Sequence, residues 1–309
     1  MTSGLLLVDK PEGLTSHDVV ARARRWAATR RVGHAGTLDP MATGLLILGV
    51  NSATKLLTFL VGEDKTYITT IRLGASTVTD DREGEITALA PAAKLAELGR
   101  EGALLERIEK ALSSLRGDIL QVPSSVSAIK VDGQRAYAKV RSGDEVKLAA
   151  RPVTIARFEM LGAPRHETVD GNEFIDFDAI VDCSSGTYIR ALARDLGEAL
   201  GVGGHLTALR RTRIGQYSIT QSHSVEKLQE TKSEELPIMP SAQAARAQFE
   251  CRELTAQEVQ DLRHGKRIRH QGELSAEIAA FAPDGSLVAM LTRSGRDLKS
   301  LVVFNEVDA

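Results

Sequence analysis

The sequence predicts an α+β fold: a mixed, largely antiparallel sheet flanked by helices, followed by a small β-rich domain. Three observations carry this expectation. Segments of strand and helix periodicity succeed one another without the strict β–α–β rhythm that a parallel sheet imposes. The last sixty or so residues place turn signals at HGKR, QGE, APDG and RSGR, with short apolar runs between them. A chain of 309 residues, 42% of them hydrophobic, can also bury one large core and one small one. The expected division is a larger domain over 1–240 and a smaller one over 248–309, joined where periodicity fades, at about 225–248.

The elements follow in order. GLLLVDKPEG reads as a short strand ending in a Pro-Gly turn. SHDVVARARRWAATR is a helix that Ser16 can cap, with Val19, Val20, Ala23, Trp26 and Ala27 on one face and the arginines elsewhere. ATGLLILGV is a buried strand, and NSATKLLTFLVG a capped amphipathic helix. KTYITTIRLG alternates as a strand, with Tyr67, Thr69, Ile71 and Leu73 on one side. GALLERIEKALSSLRG is a helix with Leu104, Leu105, Ile108, Ala111, Leu112 and Leu115 in register and Gly117 as its stop. RPVTIARFEML and NEFIDFDAIVDC are strands with a polar loop between them. SSGTYIRALARDLGEALG is a helix behind a serine/threonine cap, with Ile189, Leu192, Ala193, Leu196 and Leu200 on one face and Gly201 closing it. TALRRTRIGQYSI returns to extended chain.

Composition excludes several classes. Cys183 and Cys251 stand far apart with no CxxC spacing, which suits a reducing compartment and opposes both a disulfide framework and a zinc site. The start, MTSGLLLVDKPEG, lacks a basic leader, and no apolar run approaches the ~20 residues of a spanning helix, so a cytoplasmic protein without a membrane is expected. No long apolar face stands out, so a monomer is expected. There is no GxxxxGK[ST] loop, GxSxG elbow or HExxH pair, and GVGG at 201–204 follows a helix instead of a strand. Neither a metal nor an organic cofactor is expected.

Net charge is only −2, yet the charges are uneven. Arg22, Arg24, Arg25, Arg30 and Arg31 form one basic cluster, Arg210, Arg211 and Arg213 a second, and Arg263, Lys266, Arg267 and Arg269 a third. TDDREGE at 79–85 is part of the acidic balance. Each cluster alone reads as a solvated helix face; three together suit a phosphate backbone bound on one side.

GHAGTLDPMATG, residues 33–44, sets one carboxylate, Asp39, on a glycine-flanked turn ahead of a buried strand. It reads either as a turn aspartate bonding its own backbone or as a reactive group. His34 shares that loop. Tyr67 is either plain packing or a recognition aromatic. Tyr188 and Arg190 begin a helix, where Arg190 is either a surface residue or the partner of a buried carboxylate.

Read together, VDKPEGLTSHDVV, RVGHAGTLDPMATGLL, KTYITTIRLG, SAIKVDGQRAY, CSSGTYIRALARDLGEALG and HLTALRRTRIG closely resemble the TruB family of bacterial tRNA pseudouridine synthases, which isomerise uridine 55 in the T-loop. The resemblance runs from residue 4 to about 220, and more weakly from about 248 over a C-terminal RNA-binding domain similar to PUA domains. One departure is Ser124, in VPSSVSAIK, where the family often has a second proline. The resemblance implies the pseudouridine synthase fold, a tRNA T-arm stem-loop as partner, and no cofactor. It implies that Asp39 is the nucleophile and Arg190 its guanidinium partner. A carboxylate attacks only while ionised, burial favours the neutral form, and a charge-assisted partner opposes that. It further implies that Tyr67 is the platform for the extruded base and a candidate base for a late proton removal. His34 contacts RNA or fills space near that base, Tyr188 and Leu209 line the uracil pocket, and Lys10 and Pro11 shape its wall.

Overall fold

A computed structural model of the chain describes residues 3–98, 100–124, 130–131, 134–135, 148–270 and 277–304. Most of SAIKVDGQRAY and the QGE turn lie outside these residues. Two compact units are present, one formed by 1–62 with 214–309 and the other by 63–213. Among the described residues no helix is long and apolar enough to cross a membrane.

The first unit begins with β1 (Gly4–Lys10), whose residues Leu5 to Val8 are buried on both faces. Helix α1 (Ser16–Trp26) starts at Thr15 and not, as expected, at a Ser16 cap. Thr15 and Asp18 form a reciprocal capping box there, which frees the Ser16 hydroxyl for another task. β2 (Val32–Ala35) and β1 both run antiparallel to β3 (Thr43–Val50). The expected capped helix over 51–62 is broken: a 3-10 turn, Asn51–Lys55, precedes a short helix α2 (Leu57–Val61), and neither has a side-chain cap. The 3-10 turn sits hard against β3, where a Cβ on Gly49 would lie 2.7 Å from the Ala53 carbonyl oxygen.

The second unit is built on β4 (Lys65–Leu73), with Tyr67, Thr69, Ile71 and Leu73 buried and Ile68 exposed, as the alternation predicts. Helix α3 (Leu104–Ser114) buries Ile108, Ala111 and Leu112 but leaves Leu105 exposed, so its apolar face is narrower than expected. β5 (Gly117–Gln121) is an edge strand against β6 (Arg151–Val169). The polar loop expected after β6 is itself strand. β6 runs on to a tight Asp170–Gly171 turn, with φ of 51° and 77°, and returns as β7 (Asn172–Cys183). Cross-strand pairs Arg165–Asp178 and Thr168–Glu173 hold this polar stretch extended. Helix α4 (Ile189–Ala199) buries the predicted face, and Gly201 and Gly203, both with φ of 72°, close it ahead of β8 (Gly204–Ile214). The sheet order in this unit is β8-β4-β7-β6-β5.

The first unit then resumes. The stretch expected to be a plain connector holds helices Val225–Glu230 and Ser241–Gln248, and Met239–Pro240 pairs with β1. β9 (Glu250–Glu253), helix α5 (Ala256–Arg263), β10 (Ile268–Arg269), β11 (Ile278–Phe281), β12 (Leu287–Ser294) and β13 (Asp297–Val303) build a five-stranded sheet in the order β9-β11-β12-β13-β10. Its two faces bury different cores. Ile278 and Ala280 pack with Val259, Leu262 and Leu298. Ala279 and Phe281, pointing the other way along the same strand, join Leu5, Leu7, Leu45 and Ile47.

Candidate active site

In the first unit, the chain leaves β2 at Ala35, turns through Gly36 (φ 83°) and re-enters the sheet at Thr43. Asp39 lies at the crest of this loop, half-buried, with the backbone fixed on both of its flanks. On one side, the buried Ser16 hydroxyl accepts from Leu38 N at 2.9 Å and lies 3.1 Å from the Leu38 carbonyl oxygen, to which it donates. On the other, the Lys10 ammonium, in a fully buried residue, donates to the carbonyls of Pro11 (2.9 Å), Leu14 (2.7 Å) and Pro40 (3.2 Å). Gly13 N also donates to Pro40 O, and Ala42 N to Asp39 O. Carbonyl dipoles thus take up a desolvated positive charge, and in doing so they lock the turn. His34, on β2, meets His17 of α1 edge-to-face with ring centroids 5.5 Å apart.

In the second unit, Tyr67 lies opposite Val181 on β4, and Leu209 sits on the neighbouring strand β8; both are buried. The Thr69 hydroxyl donates to Ala208 O and helps fix the two strands. Tyr188 is the N-cap of α4 without a side-chain cap bond, so the expected serine/threonine cap is absent. Instead, the buried Gln121 side chain clasps the Tyr188 backbone, accepting from its N at 2.8 Å and donating to its O at 3.1 Å. Thr187 turns back to Ser184 O.

Arg190 is a buried residue, not a surface one. Its guanidinium donates to Thr79 O at 2.7 Å and lies 3.5 Å from the Asp81 carboxylate, both side chains being about one-twentieth exposed. Asp81 is held in turn by the Thr79 hydroxyl and Glu83 N. TDDREGE, read from the sequence only as part of the acidic balance, buries both Asp80 and Asp81. Nothing in a run of acids separates a solvated carboxylate from a buried one; the fold does. The second arginine cluster changes as well. Arg211 is interior, and Arg213 reaches Thr66 and Asp182, so this cluster is partly structural.

Residues 24–189 match the TruB family pseudouridylate synthase N-terminal domain, 190–238 the tRNA pseudouridylate synthase B C-terminal domain, and 249–305 the tRNA pseudouridine synthase II C-terminal region. The chain belongs to the TruB family. The TruB chain is 56% identical over 312 residues to the tRNA pseudouridine synthase B of Arthrobacter sp. (strain FB24), covering 98% of this chain and 97% of that one. It is 50% identical over 304 residues to the Thermobifida fusca (strain YX) protein of the same name, covering 98% and 99%. Among solved structures it superposes on a chain of a Cbf5–Nop10–Gar1 complex with a TM-score of 0.69 and 23% identity, covering 98% of this chain and 85% of that one. That likeness bears out the mixed-sheet fold expected for TruB.

Proposed function

We propose that the chain is a tRNA pseudouridine synthase that isomerises uridine 55 in the T-loop, with Asp39 as its nucleophile. The observation that carries this reading is the immobilised Asp39 turn. Ser16 holds Leu38, and Lys10 with Gly13 holds Pro40, so the backbone on both sides of Asp39 is fixed before any substrate arrives. The relatives' name, tRNA pseudouridine synthase B, supports the substrate class.

In the reaction the N1–C1′ bond breaks, the base turns, and C5 joins C1′; the C5 proton leaves and N1 ends protonated. The product is an isomer, so no oxidant, reductant or net water enters. Asp39 acts on the ribosyl carbon while ionised, with Arg190 as its charge partner. The uridine must leave its stack at a cost of a few kcal/mol, which an aromatic platform at Tyr67 offsets by about 1–3 kcal/mol. The Tyr67 phenol is the candidate acceptor for the late proton. Tyr188 and Leu209 line the pocket, and His34 contacts RNA beside the extruded base. The segment from 248 serves as a PUA-like RNA-binding domain, and the protein acts as a cytoplasmic monomer.

The test uses unmodified tRNA carrying tritium at C5 of uridine. Wild type should release tritium without free uracil, while Asp39→Asn should bind the tRNA and release none. Free uracil would instead identify a hydrolase. Binding without release from either protein would identify an RNA-binding module.

A further inference from the structure

Two arginines one helical turn apart, Arg190 and Arg194 on α4, face two consecutive aspartates, Asp81 and Asp80. The first pair orients the guanidinium to which the proposed function assigns the nucleophile's charge. The second pair has no part in that chemistry. Asp80 is nonetheless a buried acid, held at a left-handed φ of 59°. Burial pushes its carboxyl above the ordinary range, and Ser124 and Arg194 oppose that shift. The Ser124 hydroxyl is near enough to favour the ionised form, yet outside full hydrogen-bond geometry with any described residue.

Arg194 does more than neutralise Asp80. Its guanidinium lies 3.3 Å from the Asp80 carboxylate, donates to Val122 O at 2.7 Å, and is braced by Asp195 at 2.7 and 2.9 Å. One side chain thus ties three pieces of the unit together: α4, the 79–81 turn and the 121–124 segment. Gln121 of that same segment clasps the backbone of Tyr188, two residues before Arg190. The 79–81 turn supplies two partners of Arg190, the Thr79 carbonyl and the Asp81 carboxylate. A shift of the turn against α4 therefore moves both of these groups at once.

We propose that Asp80 and Arg194 are positioning residues for Arg190, a buried–half-buried pair that fixes the 79–81 turn against α4 so that Arg190 holds one orientation. The proposal rests on the catalytic reading of Arg190. Neither residue touches RNA or the reacting atoms; they act through the neighbouring arginine. Such second-layer ties matter because a misplacement of about 1 Å at a catalytic group can cost on the order of a hundredfold in rate.

The experiment compares Asp80→Asn and Arg194→Gln, each alone and in an Arg190→Lys background, by single-turnover tritium release, tRNA affinity and thermal melting. Each single variant should slow release about tenfold while changing tRNA affinity less than about twofold. In the Arg190→Lys background the further loss should be under about twofold, because residues acting through one group are not additive. Equal losses in both backgrounds overturn the proposal, as does weakened tRNA binding with a normal rate. A rate loss that tracks a lowered melting temperature, and recovers on cooling, also overturns it. If Arg190→Lys alone reacts like wild type, the catalytic reading of Arg190 has failed. If Arg190→Lys is slow while Asp80→Asn and Arg194→Gln are both fast, only the positioning proposal has failed.

Discussion

The Lys10 ammonium lies 3.2 Å from the carbonyl oxygen of Pro40, thirty positions away in the chain and next to the proposed nucleophile. The lysine is fully buried and spends its charge on backbone carbonyls. Removing it therefore does not remove a surface charge; it takes the ammonium donor from the carbonyls of Pro11, Leu14 and Pro40, of which Pro40 keeps Gly13 N. Lys10→Met is expected to cost about 1–3 kcal/mol of stability, since the half-buried Pro11 and Leu14 carbonyls lose the ammonium that they accept from. Denaturant melts check this, and an unchanged midpoint would mean that the Asp39 turn holds itself.

Tyr67→Phe separates two roles. The residue is buried on β4, so the ring can keep its packing without the hydroxyl. Stacking of the base should survive, and tRNA affinity with it, while the late proton loses its acceptor. The expected outcome is a turnover lower by about a hundredfold, within the range that general-base removal produces, at near-normal tRNA affinity. Wild-type turnover would reduce Tyr67 to a platform.

Lys65 makes stability depend on pH in an unusual direction. Burial, reinforced by the nearby Arg211 charge, lowers its ammonium from 10.5 to about 8. Between those two values the unfolded chain binds the proton and the folded chain does not, so stability rises as pH rises. Lys65→Met removes this dependence. The wild type should thus gain on the variant across that interval by about 1–3 kcal/mol, at roughly 1.4 kcal/mol per pH unit. Parallel denaturation curves across that range would show that Lys65 is charged in both states.

What the sequence made legible was periodic. The alternation of KTYITTIRLG predicts its burial almost residue by residue, and the helical face of IRALARDLGEAL finds Ile189, Leu192, Ala193 and Leu196 but not the buried Arg190, Ala191 and Gly197, because one face of each element must be covered. Caps and loops were less legible because competing side chains sit side by side. Thr15 outdoes Ser16 once Asp18 completes the box, and Ser16 then turns to Leu38, a partner twenty-two positions away. The partners of Arg190 were hidden for the same reason. Thr79 and Asp81 lie more than a hundred positions upstream, in a stretch whose charge suggests solvent. Tertiary pairing turned an acidic run into a buried ion-pair cluster, and no local pattern records that.

The C-terminal sheet gives the last prediction. If residues 248–309 were an appendage, deleting them would weaken tRNA binding and leave catalysis on a short stem-loop intact. The packing points elsewhere. Ala279, Phe281, Met290 and Phe304 share one buried cluster with Leu5 and Leu7 of β1 and with Leu45 and Ile47 of β3, the strand that follows the Asp39 turn. The Lys55 ammonium also donates to Val303 O at 3.0 Å. Losing Phe281 and Phe304 alone uncovers two aromatic side chains' worth of contacts, and large-to-small losses of that kind cost about 3–5 kcal/mol each. Deletion of 248–309 is therefore expected to lower the melting temperature sharply and to impair turnover on full tRNA and on the stem-loop together. The milder pair Phe281→Leu and Phe304→Leu, which keeps every basic residue of the C-terminal segment, should lower the melting temperature while leaving tRNA affinity near normal at low temperature. A truncated chain that melts like wild type and loses only tRNA affinity would restore the appendage.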